Sequence, residues 1–350
     1  MKSILYVSNI EVPYRTQFFN LLARYCNLTV LYERRKSNSR DESWSNDQKG
    51  SFTKIFLDGK DIGNESSFSF SILKYVFGKY DYVIFGCFNS PVEIFAYRMM
   101  KIFRKPYFLN FDGESFFETN TIKGKLKCAL ARGAQGNFIA GVKSGQSLKR
   151  IVDVKNIYPY YFSSLTEKQI QDNKEWSEKR NGKILVVGQY YTYKGLDIAV
   201  KAARQNPDLE YTFIGTGKRT QLFIKELHVD ELKNVEVIPF LEAEELAEYY
   251  KTYSLLVLPS RQECWGLVIN EAASYGMPIV STWGSGAAVE FLADRYPQFL
   301  AEPGNAIDLY HRIKLGLKSD NNEYSQYLIE KSKNYSIEKM VKAHCEALDL

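Results

Sequence analysis

The sequence lacks both a cysteine pattern and a long apolar run. Its five cysteines are scattered, and no two form a Cys-x-x-Cys pair. This argues against disulfides or a zinc site and favours a reduced cytoplasm. No stretch approaches the roughly 18 apolar residues that a transmembrane helix needs. The opening run MKSILYVSNIEVPY predicts a first β-strand, because Ser8, Asn9 and Glu11 interrupt the apolar stretch too early for a signal peptide.

Positive charge is concentrated in the first half. Residues 1–163 contain 24 lysines and arginines against 14 acidic residues, whereas the remaining residues contain 22 against 27. A basic half suggests an anionic partner, which could be nucleic acid, an anionic membrane surface or a phosphate-linked lipid. The sequence contains no recognised nucleic-acid motif, so nucleic acid is not the expected partner.

Apolar segments with strand and helix patterns alternate along the chain in two series. The first has predicted strands at 4–7, 28–31, 54–57, 82–85, 107–110 and 137–140, with helices at 16–25, 92–103 and 122–132. The second has strands at 183–187, 211–214, 235–238, 255–258 and 278–281, with helices at 195–204, 220–227, 243–250 and 267–275. This alternation predicts an α/β fold with parallel sheets covered on both faces.

A length of 350 residues suits two domains. The polar stretch 163–182 separates the two series, so we expect one domain over residues 1–163 and another over 164–334. Residues 335–350 are expected to form a C-terminal helix with Ser336 as its N-cap. The polar, charged run 33–53 predicts a mobile loop.

The most informative motif pairs Glu263 with Glu271 in the run PSRQECWGLVINEAASYGMPIVST. The first glutamate follows a predicted strand, and the second lies inside a predicted helix that begins after Gly266. A helix N-terminus presents unpaired N–H groups and a positive dipole, so it is an anion site. One carboxylate would lie near the bound anion and the other roughly 7–8 Å further along the helix. A solvated turn glutamate and helix glutamate are the alternative, which the apolar flanks of Glu271 make less attractive.

This run resembles the retaining glycosyltransferases of family 4, which have the GT-B fold. The shared pattern is Pro-Ser before Glu-x7-Glu, with Glu-Ala-x-x-x-Gly-x-Pro-Ile-Val at its end. The resemblance implies that Glu263 contacts the transferred sugar and that Glu271 contacts the nucleotide ribose. It places Gly266, Leu267 and Val268 in the donor site.

The resemblance also carries expectations for the whole architecture. Two Rossmann-like domains would face each other across a cleft, with the acceptor in the first domain and the nucleotide sugar in the second. The C-terminal helix would return to the first domain. Relatives of this type build bacterial surface polysaccharides, so capsule, O-antigen or exopolysaccharide synthesis is the expected context.

Two glycine-containing loops complete the predicted donor site. The first resembles the family's Gly-Arg-x4-Lys-Gly loop, in which two cations hold the diphosphate. Lys194 matches the lysine, but Gln189 replaces the arginine and cannot neutralise charge. Either Lys194 and the helix dipole suffice, or Lys218 or Arg219 supplies a second cation. The second loop contains Gly215 and Gly217 and resembles the family's Gly-x-Gly turn, although that pattern alone is weak.

Candidate acceptor residues follow two strands of the first series. The carboxyl ends of strands are where open α/β sheets bind ligands. Glu11, Tyr14 and Arg15 follow the first strand, in a run that resembles polysaccharide-building family members. Asn110, Asp112 and Glu114 follow another strand, and Asp112 is a candidate catalytic carboxylate. A loop carboxylate without a ligand is an equal alternative.

The predicted reaction is metal-independent, retaining transfer from a nucleotide-diphosphate sugar, with UDP-hexose or UDP-N-acetylhexosamine as the expected donor. The sequence contains no Asp-x-Asp, the motif with which GT-A enzymes hold a metal, so no cofactor is expected. A GT-B epimerase or phosphorylase, or a non-catalytic nucleotide-sugar-binding subunit, would share the architecture.

The acceptor is expected to be a lipid-linked saccharide at the inner face of the cytoplasmic membrane. Arg98, Lys101 and Lys105 share one face of an aromatic-rich predicted helix, a pattern that suits peripheral binding to an anionic membrane. A helix packed on a sheet with snorkelling cations explains the same pattern.

Overall fold

The computed structural model describes residues 1–35, 50–62, 66–86, 90–113, 121–154, 156–173, 180–318 and 321–350. Within these ranges the chain divides into two compact units. The first comprises Met1–Phe162 together with Ile337–Leu350, and the second comprises Ser163–Ser336.

The first unit is a parallel sheet with helical connections. Its strands are β1 (Ser3–Ser8), β2 (Asn27–Tyr32), β3 (Thr53–Phe56), β4 (Lys60–Ile62), β5 (Ser66–Phe68), β6 (Tyr82–Phe85), β7 (Phe108–Phe111), β8 (Gly136–Ala140) and β9 (Ile157–Tyr160). Its first five helices are α1 (Pro13–Leu22), α2 (Ile72–Val76), α3 (Pro91–Ile102), α4 (Ile122–Gly133) and α5 (Val142–Val152). Seven strands pair in the order β3-β2-β1-β6-β7-β8-β9, and β4 and β5 form a separate antiparallel pair.

Strand β1 occupies the point where the order of this sheet reverses. The chain adds β2 and β3 on one side of it and β6 to β9 on the other, and every pairing within the sheet is parallel. Residues Ile4 to Val7 have no exposed surface. A strand buried on both faces must be apolar at successive positions, which explains the uninterrupted run at the start of the sequence.

The second unit repeats this architecture with a six-stranded parallel sheet. Its strands are β10 (Ile184–Val187), β11 (Tyr211–Ile214), β12 (Val235–Ile238), β13 (Leu255–Val257), β14 (Ile279–Thr282) and β15 (Leu300–Ala301). Its helices are α6 (Glu167–Asp172), α7 (Leu196–Gln205), α8 (Thr220–Leu227), α9 (Ala243–Thr252), α10 (Leu267–Ser274), α11 (Gly286–Leu292), α12 (Ala306–Lys318) and α13 (Asn321–Ser332). The strand order is β12-β11-β10-β13-β14-β15, so the reversal lies between β10 and β13.

The last helix, α14 (Ile337–Leu348), belongs to the first unit. It packs against α1 and β9. Its end is held by the Lys2 ammonium, which donates to the carbonyl of Leu348 at 2.9 Å.

The two parallel α/β sheets confirm the predicted fold class. The first helix was predicted over 16–25 but begins at Pro13, where a proline supplies the helical φ without needing a hydrogen-bonded N–H. Strands β4, β5, β9 and β15 and helices α2, α5, α6, α11, α12 and α13 were not predicted. The shorter of these elements span too few residues to show a period. Most of the predicted loop at 33–53 lies outside the described residues. Within the described parts of the chain, none of the helices combines the length and apolarity that spanning a bilayer requires.

Candidate active site

The candidate site of the second unit lies at the carboxyl ends of β10 and β13. These strands are neighbours, and the sheet order reverses between them. In open α/β sheets, ligands bind in the crevice that such a reversal creates. The loop after β10 carries Gln189 and Lys194, and the loop after β13 carries Glu263 and Gly266. The topology therefore brings together two segments that are distant in the sequence.

Lys194 and Glu263 form a direct ion pair at this edge. Their side chains are only 21% and 14% exposed. The Ser260 hydroxyl lies 3.4 Å from the same Glu263 oxygen, Oε2. Each member of such a partly buried ion pair can bind a polar ligand in place of its partner. The ammonium can bind an anion, and the carboxylate can accept hydrogen bonds from a ligand's donors.

The Glu263 loop is anchored to the loop after β14. The Glu263 amide donates to the carbonyl of Gly284 at 2.8 Å, and the amide of Gly286 donates back to the carbonyl of Glu263 at 3.2 Å. The hydroxyl of Ser285 also donates to the carbonyl of Trp265 at 3.0 Å. The glycine-rich run that begins at Trp283 thus supports the predicted sugar-contacting glutamate through the backbone.

Helix α10 begins directly after this loop. Gly266 precedes it with φ of +103°, a conformation that favours glycine because it has no Cβ. Without a side chain, Gly266 cannot cap the helix, so the N–H groups of the first turn at Leu267 and Val268 need another acceptor. Both residues are partly exposed. An anionic group could be held there.

Glu271 lies on α10 and accepts two hydrogen bonds from hydroxyl groups. Ser164 donates to Oε1 at 2.8 Å, and Tyr250 on α9 donates to Oε2 at 2.9 Å. Burial raises the pKa of Glu271, and these two hydrogen bonds act in the opposite direction. Burial, followed by the charge of Glu271, raises the pKa of Tyr250, so its hydroxyl remains a donor. The carboxylate is thus oriented from both sides.

The remaining predicted donor residues lie on the loops after β10 and β11. Gln189 and Lys218 are exposed, whereas Gly215 and Gly217 are partly buried and have positive φ. The amides of these glycines donate to the carbonyls of Ile238 and Pro239, at 3.1 and 2.8 Å. The Gly-x-Gly turn therefore binds its own neighbouring strand through these two amides.

Arg219 lies beside the loop that contains Gln189. Its guanidinium stacks on the ring of Tyr191 at 4.1 Å and donates to the carbonyl of Tyr190 at 3.3 Å. Sequence reasoning named Lys218 and Arg219 as alternative second cations. Both contacts are with the two residues that follow Gln189, the position where the family pattern has arginine.

The predicted acceptor residues of the first unit form a buried polar network at the ends of β1 and β7. Arg15 is ion-paired with Asp112, and its other terminal nitrogen donates to the hydroxyl of Tyr6 at 3.2 Å. Burial opposes the charge of Arg15, but Asp112 and the neighbouring tyrosines together outweigh it, and the pKa of Arg15 is raised. Arg15 is 6% exposed, whereas the side chain of Asp112 is 32% exposed. Asp112 is therefore the member of this pair that a ligand can reach.

The same network extends to the C-terminal helix. Tyr160 donates to Asp112 at 2.8 Å and receives a hydrogen bond from the amide of Asn110 at 3.0 Å. The Nε2 atom of His344 lies 2.8 Å from Asn110 Oδ1. Burial lowers the pKa of His344 to about 4, so the ring is neutral. Asn110 is only 1% exposed, and it is connected to Asp112 through the hydroxyl of Tyr160.

The other predicted acceptor residues are Glu11, Tyr14 and Glu114, and Tyr14 shares the Phe162 ring with Arg15 of this network. Glu11 is ion-paired with Lys54 at 2.5 Å. The ring of Tyr14 packs edge-on against Phe162 and is partly exposed. Glu114 lies outside the described residues.

Sequence reasoning missed the residues that orient the predicted ones. Ser164 and Tyr250 hold Glu271, His344 supports Asn110, and Arg261 and Asp197 form an ion pair between the Lys194 and Glu263 loops. None of these contacts is marked by a local motif, since each joins residues far apart in the chain. The sequence signal for the Arg261–Asp197 pair was that Asp197 lies three residues after Lys194 and Arg261 two residues before Glu263.

Comparison with known proteins finds a family match over most of the second unit. Residues 167–335 match the family model described as "Glycosyl transferases group 1". An uncharacterized glycosyltransferase of Methanocaldococcus jannaschii is 32% identical over 162 residues, which is 45% of each chain. The chain therefore matches less than half the length of this curated relative.

Two solved structures resemble the whole chain. HepE of Anabaena, in complex with UDP, has a TM-score of 0.73 at 16% identity, with 100% of both chains covered. WaaG, a glycosyltransferase involved in lipopolysaccharide biosynthesis, has a TM-score of 0.67 at 14% identity and covers 99% of this chain and 98% of its own. At these identities the likeness concerns the fold. The second unit is therefore similar to glycosyl transferases group 1 over residues 167–335, within a chain that has the two-domain GT-B fold.

Proposed function

We propose that this chain is a retaining glycosyltransferase that moves a sugar from a nucleotide-diphosphate sugar to a hydroxyl of a saccharide acceptor. The observation that carries the proposal is the arrangement of Lys194, Glu263 and Glu271 around the start of helix α10. It offers one cation, one set of helix N–H groups and two carboxylates at a sheet reversal. These groups match the diphosphate, the sugar and the ribose of the donor.

Transfer requires stabilisation of the diphosphate as its bond to the anomeric carbon lengthens. The ammonium of Lys194 and the N–H groups at Leu267 and Val268 would neutralise that charge without reorganising water. Lys194 is paired with Glu263 in this structure, so donor binding would replace a carboxylate by a phosphate at the ammonium. Glu263 would then be left to accept hydrogen bonds from the hydroxyls of the transferred sugar.

The nucleoside would be recognised by Glu271. A carboxylate accepts hydrogen bonds from the two ribose hydroxyls, and Ser164 and Tyr250 orient it for this task. HepE has been solved with UDP and with UDP-glucose, which supports UDP as the nucleotide. We propose a UDP-hexose or UDP-N-acetylhexosamine donor.

The acceptor would bind the first unit beside Asp112. One oxygen of this carboxylate is engaged by Arg15 and Tyr160, which leaves the other oxygen to hold or deprotonate an acceptor hydroxyl. Glu11 and Tyr14 would contribute to the same acceptor surface. WaaG acts in lipopolysaccharide biosynthesis, which supports a lipid-linked acceptor in the synthesis of an envelope polysaccharide.

A surface on the first unit suits binding to an anionic membrane. Ile102 and Phe103 are 69% and 60% exposed at the end of α3, and Lys101, Arg104 and Lys105 surround them. The opposite face of α3 is buried, so the helix packs on the core and still presents this apolar and basic end. Flotation with anionic vesicles should recover the protein, and an Ile102→Ser/Phe103→Ser variant should float less. Equal flotation with neutral and anionic vesicles would contradict this part of the proposal.

Nucleotide binding is the first test of the function. Titration calorimetry with UDP, GDP, ADP, CMP and dTDP should show one preferred nucleoside diphosphate. Glu271→Gln should weaken that binding, whereas Glu323→Gln, at an exposed ion pair in the same unit, should not. Failure of all five nucleotides to bind would refute the donor site.

Turnover separates a transferase from the other GT-B activities. With a UDP-sugar and a saccharide acceptor, the product should keep the anomeric configuration of the donor, which the coupling of its anomeric proton reports. Activity should persist in EDTA. An epimerase would convert the donor without an acceptor, a phosphorylase would need inorganic phosphate, and a binding subunit would show no turnover with any acceptor.

A further inference from the structure

A second ion pair, in addition to Lys194–Glu263, joins the segments that carry these two residues. Arg261 donates to both oxygens of Asp197, from Nη1 to Oδ1 at 2.6 Å and from Nη2 to Oδ2 at 2.7 Å. Arg261 precedes Glu263 by two residues, and Asp197 follows Lys194 by three. Two ion pairs, Arg261–Asp197 and Lys194–Glu263, therefore connect the same two segments.

Main-chain hydrogen bonds reinforce the same junction. Nη1 of Arg261 also donates to the carbonyl of Thr192 at 2.8 Å. The amides of Arg261 and Gln262 both donate to the carbonyl of Tyr193, at 2.8 and 3.2 Å. The turn at Thr192–Lys194 is therefore held on one side by the segment that leads to Glu263.

Both members of the pair are charged at neutral pH. The hydrogen bonds with Asp197 raise the pKa of Arg261, while its burial acts in the opposite direction. Burial opposes the charge of Asp197 as well, but Arg261 outweighs it and the pKa of Asp197 is lowered. The side chains are 31% and 24% exposed, so solvent partly screens the pair. The bidentate contact restricts where the Lys194 turn can lie relative to the Glu263 loop.

We propose that Arg261 and Asp197 are positioning residues that hold the Lys194 ammonium at the place where the donor's diphosphate binds. Neither residue has to touch the donor. Without the pair, main-chain hydrogen bonds would still join the Lys194 turn to the Glu263 loop, but the bidentate side-chain contact that restricts their approach would be lost. The inference rests on the proposed function, since it assigns the diphosphate to Lys194.

The chain offers a matched control for this pair. Arg312 and Asp308 on α12 form an ion pair at 2.9 Å, with side chains that are 33% and 21% exposed. Arg312 also donates to the main-chain carbonyl of Gln298 at 3.0 Å. Exposure and hydrogen bonding are similar, but the control pair contacts neither the Lys194 turn nor the Glu263 loop.

The experiment compares Arg261→Ala, Arg261→Lys, the charge swap Arg261→Asp/Asp197→Arg, and the control Arg312→Ala. Calorimetry measures the dissociation constants of UDP and UMP, and steady-state kinetics measures KM for donor and acceptor. Arg261→Ala should weaken UDP binding roughly tenfold, by analogy with the loss of residues that orient the ligands of a metal site. UMP should change less because it lacks the second phosphate.

The variants separate positioning from a simple loss of charge or of folding. Arg261→Lys keeps the charge without the bidentate geometry and should rescue UDP binding only in part, while the charge swap should bind UDP more tightly than Arg261→Ala does. The KM for acceptor should stay unchanged, and the melting temperature of Arg261→Ala should match that of Arg312→Ala.

Three results would overturn the inference. UDP binding to Arg261→Ala as tight as to the wild type would exclude a positioning role. Equal weakening of UDP and UMP would remove the link to the diphosphate, and equal weakening in Arg312→Ala would show a general effect on the unit. If the wild type binds none of UDP, GDP, ADP, CMP or dTDP, the proposed function fails first and this inference falls with it.

Discussion

Gly195 lets the Lys194 turn pack against the chain that leads to Glu263. It precedes helix α7 with φ of +69° and ψ of 20°, in the left-handed region. A Cβ added there would lie 2.1 Å from the carbonyl oxygen of Pro259 and 2.9 Å from its carbon. Both are backbone atoms, so they cannot rotate out of the way as the end of a side chain could. Gly195→Ala is therefore expected to separate the two loops.

The size of the effect follows from two contributions. Holding alanine in the left-handed region costs roughly 1–2 kcal/mol. Forcing the loops apart should cost about 1–3 kcal/mol more, as overpacking does elsewhere. Gly182→Ala is the control, since its φ is +79° and nothing lies within 4 Å of the added Cβ. It should show the first contribution alone.

Thermal unfolding and donor kinetics test this expectation together. For a unit of this size, Gly195→Ala should lower the melting temperature by roughly 5–15 °C and Gly182→Ala by about 2–6 °C. Displacing Lys194 should also reduce kcat/KM for the donor by roughly tenfold or more, while the control retains its activity. Equal melting temperatures for the two variants would refute the close approach, and an unchanged kcat/KM would refute its link to the site.

Three further predictions concern single side chains. Burial raises the pKa of Glu33 to about 7, so the folded state prefers the protonated form; its stabilising effect should be complete below pH 4 and lost as the pH rises through 7. Glu33→Gln should remove this dependence and add up to about 3 kcal/mol of stability at pH 8, measured by urea unfolding across pH. Tyr250→Phe should raise the pKa of Glu271 and weaken UDP binding by roughly tenfold, as calorimetry would show; unchanged affinity would exclude orientation through this hydrogen bond. Arg219→Ala should weaken UDP more than Lys218→Ala does, and Gln189→Arg should restore the lost affinity; equal losses would exclude Arg219 as the second cation.

Much of the fold could be predicted from local sequence patterns. The buried strands β1, β6 and β10 each show a run of apolar residues, because helices cover both faces of a parallel sheet. Elements whose burial depends on distant partners were harder to recognise. Helix α5, with the sequence VKSGQSLKRIV, buries Ser144 and Gly145 beside Leu148 and Val152, so only part of its buried face is made of large apolar residues.

Part of the candidate site was also predictable. The spacing of Glu263, Gly266 and Glu271 is local, since a loop and the helix that follows it determine where these residues lie. Lys194 was predicted by its motif, but its ion pair with Glu263 was not, because strand order alone brings the two loops together. The predicted roles of these residues stay predictions until nucleotide binding is measured.

The sequence by itself determined the strand and helix alternation and the helix start at Gly266, because each depends on neighbours within a few residues. Only the tertiary structure decided which side chains support them. Ser164 reaches Glu271 across 107 residues of sequence, Arg261 reaches Asp197 across 64, and His344 reaches Asn110 across 234. Such partners are selected by the order of strands in a sheet and by the packing of loops at its edge, which leave no periodic pattern in the chain.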